Sequence, residues 1–234
     1  MMTCAIIVAA GSASRFGGGV PKQLREVCGR PLLSWTVSRF EAAARIDHIV
    51  VVVAEEHLLY VSQKVIDPYA FAKVTKILIG GQTRSESVLK GLKALPLSTS
   101  HVAIHDGVRP LVRPDDIDRV VETAIEERAA MLAVPATDTV KRVEGGFVLA
   151  TLDRDRLHLA QTPQAFQYDL IVEAYRQAAE ANDPAIFTDD ASLIEAKGFK
   201  VRVVEPSGPN IKVTTPDDLV LVEALLRRES DDIS

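Results

Sequence analysis

The sequence has only two cysteines, no long apolar run and no excess of positive charge. Each of these absences excludes a class of protein. Its two cysteines, Cys4 and Cys28, do not have the spacing of metal ligands. No stretch approaches the roughly 20 apolar residues that cross a bilayer, so we expect no membrane partner. The apolar N-terminal run is too short, and too uncharged at its start, for a signal peptide. We therefore expect a cytoplasmic location.

The charge balance excludes one kind of partner. The chain has 32 acidic and 27 basic residues among 234, a net charge of -5, and its acidic residues are scattered along the whole length. Because this pattern forms no broad basic face, we do not expect a nucleic acid polymer as a partner. A single nucleotide is compatible with it if a few local cations do the binding.

The most informative segment spans residues 9–23, AAGSASRFGGGVPKQ, in which an apolar strand leads into small residues and two cations, Arg15 and Lys22. Small residues let backbone N–H groups approach an anion closely. Arg15 adds a planar fork of donors, and Lys22 adds a point charge. We interpret the segment as a polyphosphate site, since a plain surface loop between a strand and a helix has no need of cations at both ends.

Two well-known glycine-rich loops do not match this segment. Counted from Gly11, a P-loop requires glycine and lysine where Phe16 and Gly17 stand. A dinucleotide fingerprint requires glycine at Ala13 and Phe16, and an acidic residue near positions 28–30, which read CGR. A Ser-His-Asp hydrolase is not indicated either, because no serine lies in a G-x-S-x-G pattern.

Apolar runs rich in valine and isoleucine alternate with segments of helical period, which is typical of an α/β protein. The predicted strands lie at residues 3–8, 48–54, 74–79, 102–105, 131–134 and near 200–204. We predict a Rossmann-like, mostly parallel twisted sheet flanked by helices. It would form a single domain over residues 1–228, followed by a frayed tail at 229–234.

Prolines and a capping box mark the predicted helix starts. Pro31, Pro114 and Pro216 suit first helical positions, and TRSE at 83–86 is a capping box. Three aspartate pairs also fall where helices are predicted to begin, at 115–116, 189–190 and 217–218. Capping and the helix macrodipole account for these pairs, so we assign them no catalytic role.

Between residues 137 and 158 the pattern changes to short alternating pieces, DTVKRV and FVLATL, separated by Glu144, Gly145 and Gly146. This pattern predicts a β-hairpin arm. An isolated two-stranded ribbon is marginal in water, so we expect the arm to pack on a second subunit. Its polar residues suit a second phosphate-bearing substrate, although a solvated charged hairpin explains them equally well: Thr139, Lys141, Arg142, Arg154 and Arg156.

Polar residues also follow two further predicted strands, and ligands of open α/β sheets bind beyond the carboxyl ends of the strands. GGQTRSES follows the strand at 74–79 and suits a base edge or a ribose, although a glycine turn with a helix cap explains it equally well. Asp106 and Arg109 follow the next strand, where a carboxylate can hold a ribose or a metal-bound water; a plain Asp-Gly turn is the alternative. We interpret His105 as structural. Lys212 precedes the last helix, where it can meet a developing negative charge.

Taken in order, the motifs are those of a known enzyme family. They are AAGSASRFGGGVPKQ, GGQTRSESV, HDGVRP, DTVKR, LDRDRL, QTPQAF, FTDDAS and NIKVTTPDDL. Over essentially its whole length the chain resembles the 2-C-methyl-D-erythritol 4-phosphate cytidylyltransferases. The resemblance implies a nucleotidyltransferase that transfers CMP from CTP to 2-C-methyl-D-erythritol 4-phosphate. The products would be 4-diphosphocytidyl-2-C-methyl-D-erythritol and pyrophosphate, in the non-mevalonate isoprenoid pathway.

The same resemblance implies Mg²⁺ as the cofactor, with other divalent cations open, and a homodimer through the arm. The implied catalytic residues are Arg15, Lys22 and Lys212. CTP would be bound by Ala9, Ala10, Gly11, Ala13, Gly81, Ser87, Asp106 and Arg109, and the polyol phosphate by Thr139, Arg154, Thr162 and Thr188. Asp106 would hold the metal through water, while the CTP phosphates supply most of its ligands. Arg154 would serve the site of the neighbouring subunit.

The chain departs from the family pattern at two places, and two other functions are alternatives to the one that the resemblance implies. Ala13 stands where the family commonly has a second loop glycine, and HDGVRP at 105–110 replaces the usual HDAARP. A ribitol 5-phosphate cytidylyltransferase shares the fold and the CTP loop, and differs mainly in the residues that touch the polyol. A CTP-binding regulatory module without chemistry is the second alternative, against which the joint presence of the catalytic cations and Asp106 argues. Because the chain ends after the last predicted helix, we expect no fused downstream enzyme.

Overall fold

The computed structural model describes residues 1–11, 20–180 and 187–231, so the predictions for Arg15 and Ala13 lie outside the described residues. In chain order its strands are β1 (Met2–Ala9), β2 (Glu26–Val27), β3 (Arg30–Pro31), β4 (His48–Val53), β5 (Val74–Ile79), β6 (Thr99–Asp106), β7 (Ala129–Pro135), β8 (Lys141–Glu144), β9 (Phe147–Thr151), β10 (His158–Gln167) and β11 (Arg202–Val204). Its α-helices are α1 (Leu32–Ala42), α2 (Leu58–Tyr60), α3 (Arg84–Ala94), α4 (Pro114–Glu127), α5 (Tyr168–Glu180), α6 (Asp190–Ala196) and α7 (Pro216–Asp231).

A central sheet of seven strands contains β11, β7, β10, β6, β1, β4 and β5, in this spatial order. The pairs of β1 with β4 and β6, of β4 with β5 and of β11 with β7 are parallel. β10 runs antiparallel to both β6 and β7. From β1 the chain moves outward through β4 to β5, and then crosses to the other side of β1 with β6. A crevice is expected where this order reverses, at the carboxyl ends of β1 and β6.

Both faces of the sheet are covered, which explains why β1 and β4 are almost entirely apolar in the sequence. Ile6 and Ile7 are neighbours in β1 and both are fully buried, but they point to opposite faces. Ile7 lies in the apolar layer that includes Phe40 of α1, and Ile6 lies in the layer that includes Val88 of α3. Burial of side chains of this size contributes about 1.5–3 kcal/mol each. Two packed layers therefore fix the strand ends in space.

The prediction of a mostly parallel, Rossmann-like sheet flanked by helices is confirmed. β10 was not predicted, although it is ten residues long. Its first residues are exposed, it contains Pro163, and its pairing with β7 shifts between Ala160 and Gln164. A proline and an irregular register both weaken the alternation by which a strand is detected.

The capping box at the start of α3 is confirmed in one half and wrong in the other. Thr83 Oγ1 accepts a hydrogen bond from Glu86 N at 3.1 Å, as predicted. The Glu86 carboxylate accepts one from Gln82 N at 2.8 Å, whereas a capping box would have it bind Thr83 N. The glutamate therefore secures the residue before the cap.

The predicted arm is present as the antiparallel hairpin of β8 and β9. Gly145 and Gly146 form its turn with φ of 58° and 84°, values that favour glycine and belong to a type I′ turn. Every residue of β8 is exposed, and so are Phe147, Val148 and Leu149 of β9. The hairpin therefore buries few of its own side chains within the chain.

Candidate active site

A cavity of about 700 Å³ opens at the carboxyl ends of the parallel strands. Its walls come from the ends of β1, β5 and β6, from the residues that follow β4, and from the segment before α7. The lining residues are Val8, Ala9, Ala10, Gly11, Lys22, Gln23, Ala54, Glu55, Glu56, Ile79, Gly80, Gly81, Gln82, Thr83, Arg84, Ser87, Asp106, Val108 and Lys212. The structure thus brings Lys22 and Lys212 to one cavity with most of the predicted nucleotide-binding residues.

The first wall of the cavity is held by a glutamine that the sequence analysis missed. Gln23 is buried, and its Nε2 donates to Ala9 O at 2.9 Å and to Gly11 O at 3.3 Å. It follows Lys22 directly in a short 3₁₀ helix, Lys22–Leu24. These bonds tie the end of β1 to the turn that carries the lysine. The position next to Lys22 was the only sequence signal of this role.

The second wall is the start of α3, where backbone and hydroxyl groups bond to each other. Gly81 N donates to Ser87 Oγ at 3.0 Å, and Ser87 Oγ donates to Thr83 O at 2.9 Å. Ser87 Oγ keeps one acceptor position, which suits an amino group of a ligand. Gly80 brings the two walls together, because a Cβ there would lie 2.5 Å from that of Ala10. Any larger residue at position 80 would push the walls apart.

Asp106 ends β6 at the base of the cavity and has three cationic neighbours. Its Oδ2 lies 2.8 Å from Lys212 Nζ and 3.8 Å from Arg109 Nε, and its Oδ1 lies 3.3 Å from Arg84 Nε. Burial alone would raise the pKa of Asp106, but Arg84, Lys212 and Arg109 outweigh it and hold that pKa well below its ordinary value. The carboxylate therefore stays ionised beside cations that face the cavity.

A buried hydrogen-bond chain holds Asp106 from behind. Asp106 N donates to Thr162 Oγ1 at 3.1 Å, and Thr162 Oγ1 lies 3.0 Å from Nδ1 of His105. Nε2 of His105 lies 3.2 Å from Arg109 O, which can only accept, so the ring proton belongs on Nε2. Burial lowers the pKa of His105 to about 3, which leaves the ring neutral. Nδ1 is then the acceptor of a hydrogen bond that the Thr162 hydroxyl donates.

Lys212 reaches Asp106 because its segment is bonded to β10 and to the turn that follows β6. Asn210 Nδ2 donates to Thr162 O at 2.8 Å, and Asn210 O accepts from Arg109 Nη1 at 2.7 Å. Val213 N donates to Val108 O at 2.9 Å. The lysine is thereby placed between two anchored residues. Asn210 and Val213 were not singled out by the sequence analysis.

Arg109 and Thr162 lie behind Asp106 and do not line the cavity, in contrast to the contacts predicted for them. Thr188 is exposed and precedes α6. Thr139 and Arg154 are exposed at the base of the arm, where Arg154 Nη1 donates to Thr137 O at 2.9 Å. Within one chain the arm residues therefore do not face the cavity.

The aspartate pairs predicted to be helix caps are only partly explained by capping. Asp189 accepts from Ser192 N at 3.0 Å, and Asp218 accepts from Thr214 N at 2.8 Å, as caps do. Asp116 and Asp190 are instead buried. Asp190 is paired with Arg84, and Asp116 accepts from Ser207 N at 2.9 Å. For these two, the assignment to capping and the helix macrodipole was incomplete.

The departure at Gly107 has a local structural explanation. A Cβ on Gly107 would lie 2.9 Å from Leu33 Cδ1 and 3.0 Å from the Cβ of Ala9. Gly107 N also donates to Val8 O at 2.8 Å, which keeps the ends of β1 and β6 close. An alanine here would require Leu33 to shift. The glycine therefore suits the packing of this chain.

Within the described residues, no three or more histidine, cysteine, aspartate or glutamate side chains are grouped so as to hold a metal ion. Asp106 contributes a carboxylate at the cavity, which is enough for Mg²⁺ when substrate phosphates supply further oxygens. Among the helices of the described segments, none has the length and apolar character needed to cross a membrane.

Comparison with known proteins gives consistent matches over nearly the whole chain. A family model described as 2-C-methyl-D-erythritol 4-phosphate cytidylyltransferase matches residues 3–228. A protein of that name from Syntrophus aciditrophicus is 45% identical over 226 residues, which are 96% of each chain.

Two solved structures are similar to the chain at the level of the fold as well. A 4-diphosphocytidyl-2C-methyl-D-erythritol synthase from Anaerococcus prevotii has a TM-score of 0.84 at 30% identity, covering 97% of this chain and 96% of that one. A 2-C-methyl-D-erythritol 4-phosphate cytidylyltransferase from Thermus thermophilus has a TM-score of 0.77 at 34% identity, covering 97% of this chain and 100% of that one.

Proposed function

The chain belongs to the 2-C-methyl-D-erythritol 4-phosphate cytidylyltransferase family, and we propose that it transfers CMP from CTP to 2-C-methyl-D-erythritol 4-phosphate. The products are 4-diphosphocytidyl-2-C-methyl-D-erythritol and pyrophosphate, and the reaction belongs to the non-mevalonate isoprenoid pathway. The observation that carries the proposal is that Lys22, Arg84 and Lys212 line one cavity, in which Arg84 and Lys212 contact Asp106. These three cations suit the phosphate groups of two substrates.

The reaction is an in-line displacement at phosphorus. The 4-phosphate of the polyol attacks the α-phosphorus of CTP, a new P–O bond forms, and the bond to the leaving pyrophosphate breaks. Because the attacking phosphate is already ionised near neutral pH, no general base is required. The protein therefore acts by holding two mutually repelling anions together and by stabilising the charge that develops between them.

The cations divide this task according to their position. Lys22, which lines the cavity, and Arg15, seven residues earlier in the sequence, bind the triphosphate in our proposal. Lys212 approaches from the opposite wall, next to Asp106, where the α-phosphate and the attacking phosphate meet. Cations from two distant segments of the chain would thereby surround the reacting phosphorus. Arg109 supports this region through its contact with Asp106.

Nucleotide recognition uses the two walls of the cavity. Backbone groups at Ala9, Ala10, Gly11, Ala13 and Gly81 approach the base and the phosphates in our proposal. The acceptor position left on Ser87 Oγ suits the 4-amino group of cytosine, because that group is a donor. A uracil base presents a carbonyl at the same place. The arrangement therefore favours CTP over UTP.

Mg²⁺ fits the site if Asp106 contacts it through water and the CTP phosphates supply most of its ligands. When bound, the ion supplies positive charge to phosphate oxygens. Asp106 would hold the hydrated ion, while Lys212 and Arg84 keep that carboxylate in place. The test is a titration of CTP binding with Mg²⁺, in which Asp106→Asn requires a higher Mg²⁺ concentration. The same affinity in both proteins at all Mg²⁺ concentrations contradicts this role, and other divalent cations are compared in the same titration.

The arm supports the proposal of a homodimer. Phe147, Val148 and Leu149 expose apolar side chains on a two-stranded ribbon that is marginal by itself. Packing on a second copy of the chain would bury them. In that arrangement Thr139 and Arg154 serve the site of the neighbour, where they bind the polyol phosphate together with Thr188. Thr162 acts from behind, by holding Asp106 through the backbone N–H of that residue.

The proposal also covers binding partners and cellular location. CTP and a polyol phosphate are the proposed ligands. A nucleic acid polymer is not a proposed partner, because the net charge is -5. No membrane partner is proposed. The proposed location is the cytoplasm.

A pyrophosphate-release assay tests the function. The protein receives CTP and Mg²⁺ with either 2-C-methyl-D-erythritol 4-phosphate or ribitol 5-phosphate. Release with the first polyol and little with the second supports the proposal. Preference for ribitol 5-phosphate indicates the related enzyme, and CTP binding without any release indicates a regulatory module.

A further inference from the structure

Arg84 begins α3 and lines the cavity, and its guanidinium contacts carboxylates of two elements that are distant in sequence. Its Nε lies 3.3 Å from Asp106 Oδ1, at the end of β6. Its Nη1 and Nη2 lie 3.0 Å and 2.8 Å from the two carboxylate oxygens of Asp190, at the start of α6. Only a planar fork of donors bonds two carboxylates in this way. Arg84 therefore links the end of β6, at the cavity, to the start of α6.

In the ion pair of Arg84 with Asp190, the aspartate is the more deeply buried partner. Asp190 is fully buried, and Tyr175 of α5 donates its hydroxyl to Asp190 Oδ1. Burial and Asp190 raise the pKa of Tyr175 far above its ordinary value, so the phenol remains a donor. Burial opposes the charge of Arg84, but Asp190 and Asp106 outweigh it and raise its pKa. The guanidinium is therefore a fixed cation.

The start of α6 is anchored on its other side by β10. Gln164 Nε2 donates to Asp189 Oδ2 at 2.9 Å, and Gln164 Oε1 accepts from Ala191 N at 2.9 Å. Thr188 directly precedes Asp189, and Thr162 lies two residues before Gln164 in β10. The position of Thr188 is thus set by Gln164 from one side and by Arg84, through Asp190, from the other.

We propose that Arg84 is a positioning residue that couples the two halves of the site, an inference that rests on the proposed function. The nucleotide half-site is Gly81, Ser87 and Asp106, and the polyol half-site of the proposed function includes Thr188. One guanidinium holds Asp106 in the first and the start of α6, with Thr188, in the second. Because the two substrates repel each other, a fixed separation between the half-sites keeps the reacting atoms in line.

Two variants separate the contributions of the two ends. Asp190→Asn keeps the shape of the side chain and weakens the bond to α6 alone. We expect the dissociation constant of 2-C-methyl-D-erythritol 4-phosphate to rise about tenfold, and that of CTP to change by less than about twofold. Arg84→Lys keeps the charge but loses the fork, so both dissociation constants rise about tenfold. Calorimetric titrations measure both ligands. Equal changes for both ligands in Asp190→Asn contradict the proposal.

A double-mutant cycle distinguishes positioning from a general loss of stability. Thr188→Ala alone weakens the binding of the polyol phosphate. In the Arg84→Lys background it has a much smaller effect, because Thr188 is already displaced. Additive effects overturn the proposal, and so does an unchanged affinity in Thr188→Ala, because α6 then carries no contact to the polyol.

Arg176 is the matched control. It also pairs with two carboxylates, Glu173 and Glu180, but on the exposed side of α5. Arg176→Lys should leave both affinities unchanged, and Thr188→Ala should have its full effect in that background. A loss of coupling there would contradict a specific role of Arg84.

Folding and function are checked separately. Thermal unfolding shows whether each variant is folded at the temperature of the titration. If Arg84→Lys does not fold, the cycle uses Asp190→Asn, for which the same non-additivity with Thr188 is expected. Because the cycle measures equilibrium binding, it is independent of turnover. Absence of pyrophosphate release by the unmodified protein contradicts the proposed function, whereas additivity in the cycle contradicts the coupling.

Discussion

The cavity and the arm differ in which side chains they bury: the cavity region buries polar ones, and the arm exposes apolar ones. Around the cavity, polar side chains such as His105 and Thr162 are buried, and each has partners within the chain. In the arm, apolar side chains face solvent, and Phe147 is 78% exposed. Buried polar networks rigidify a site, whereas an exposed apolar ribbon requires another surface. The buried hydrogen bonds at the cavity are therefore made within one chain, whereas the arm needs a second surface to bury its apolar side chains.

The largest effect is expected from removing a cation from the cavity. Lys212→Met removes the ammonium group that lies 2.8 Å from Asp106 Oδ2. We expect kcat to fall on the order of 10²–10³-fold, because the developing charge loses one positioned cation. Pyrophosphate release measures it.

Lys93 is the control for this prediction, since it is exposed in the last turn of α3 and does not line the cavity. Lys93→Met should leave kcat within about twofold of that of the unmodified enzyme. A similar loss in both variants, or none in Lys212→Met, would contradict a specific role of the cavity lysine.

The next effect concerns acid stability. The folded-state pKa of His105 is lowered to about 3 from an ordinary value of 6.5. Between these values the unfolded chain binds a proton that the folded chain does not, so stability falls as the pH falls. From pH 6 to pH 4 the free energy of unfolding should decrease by about 2–3 kcal/mol on account of this residue. Urea unfolding at several pH values measures the slope.

His105→Gln provides the comparison for that slope. It should lower the stability at pH 7 and make the decrease between pH 6 and pH 4 shallower by the contribution of one proton. His158, exposed at the start of β10, serves as the control, and His158→Gln should keep the original slope. An unchanged slope in His105→Gln would show that the ring is protonated in the folded protein.

A smaller effect is expected from Thr162, whose hydroxyl joins Asp106 N to His105 Nδ1. Thr162→Val keeps the shape and leaves two buried groups without this partner, which should cost about 1–3 kcal/mol of unfolding free energy. Urea unfolding at neutral pH measures it. In α4, Thr123 also donates its hydroxyl to a backbone oxygen, Arg119 O, but in an exposed position. Thr123→Val should cost less than about 0.5 kcal/mol, and equal costs would argue against the buried chain.

A substitution in the arm should have the smallest effect on the free energy of unfolding. It should instead weaken the association of two chains. Phe147→Glu should alter the free energy of unfolding of the dissociated chain by less than about 0.5 kcal/mol, because the side chain is exposed. Sedimentation velocity should show a shift from dimer to monomer. Leu97 is also fully exposed but lies outside the arm, so Leu97→Glu should sediment like the unmodified protein. A dimer that survives Phe147→Glu would place the interface elsewhere.

The parts that were predictable from the sequence are those where one pattern dominates. β1, β4 and β6 are buried on both faces, so each contains an apolar run: CAIIVA, IVVVV and VAI. The arm was predictable because Gly145 and Gly146 select a tight turn. Asp106 and Lys212 were found because short motifs end or begin at predicted elements.

The parts that were not predictable depend on contacts between distant segments. Arg84 and Asp190 have little local signal for their ion pair, since each also reads as an ordinary helix-start residue. Thr162 was expected at the polyol phosphate, but in the structure its hydroxyl donates a buried hydrogen bond to Nδ1 of His105. Burial and partner choice arise from tertiary packing, which no local spacing encodes.

The most direct test of the central claim is a crystal structure with CTP, Mg²⁺ and 2-C-methyl-D-erythritol 4-phosphate bound under conditions that prevent turnover. The claim is that cations from separate segments converge on two anions at the strand ends. We predict Nζ of Lys22 and of Lys212 within about 3.2 Å of phosphate oxygens, on opposite sides of the α-phosphorus. Substrates bound with both ammonium groups directed to solvent would contradict the account.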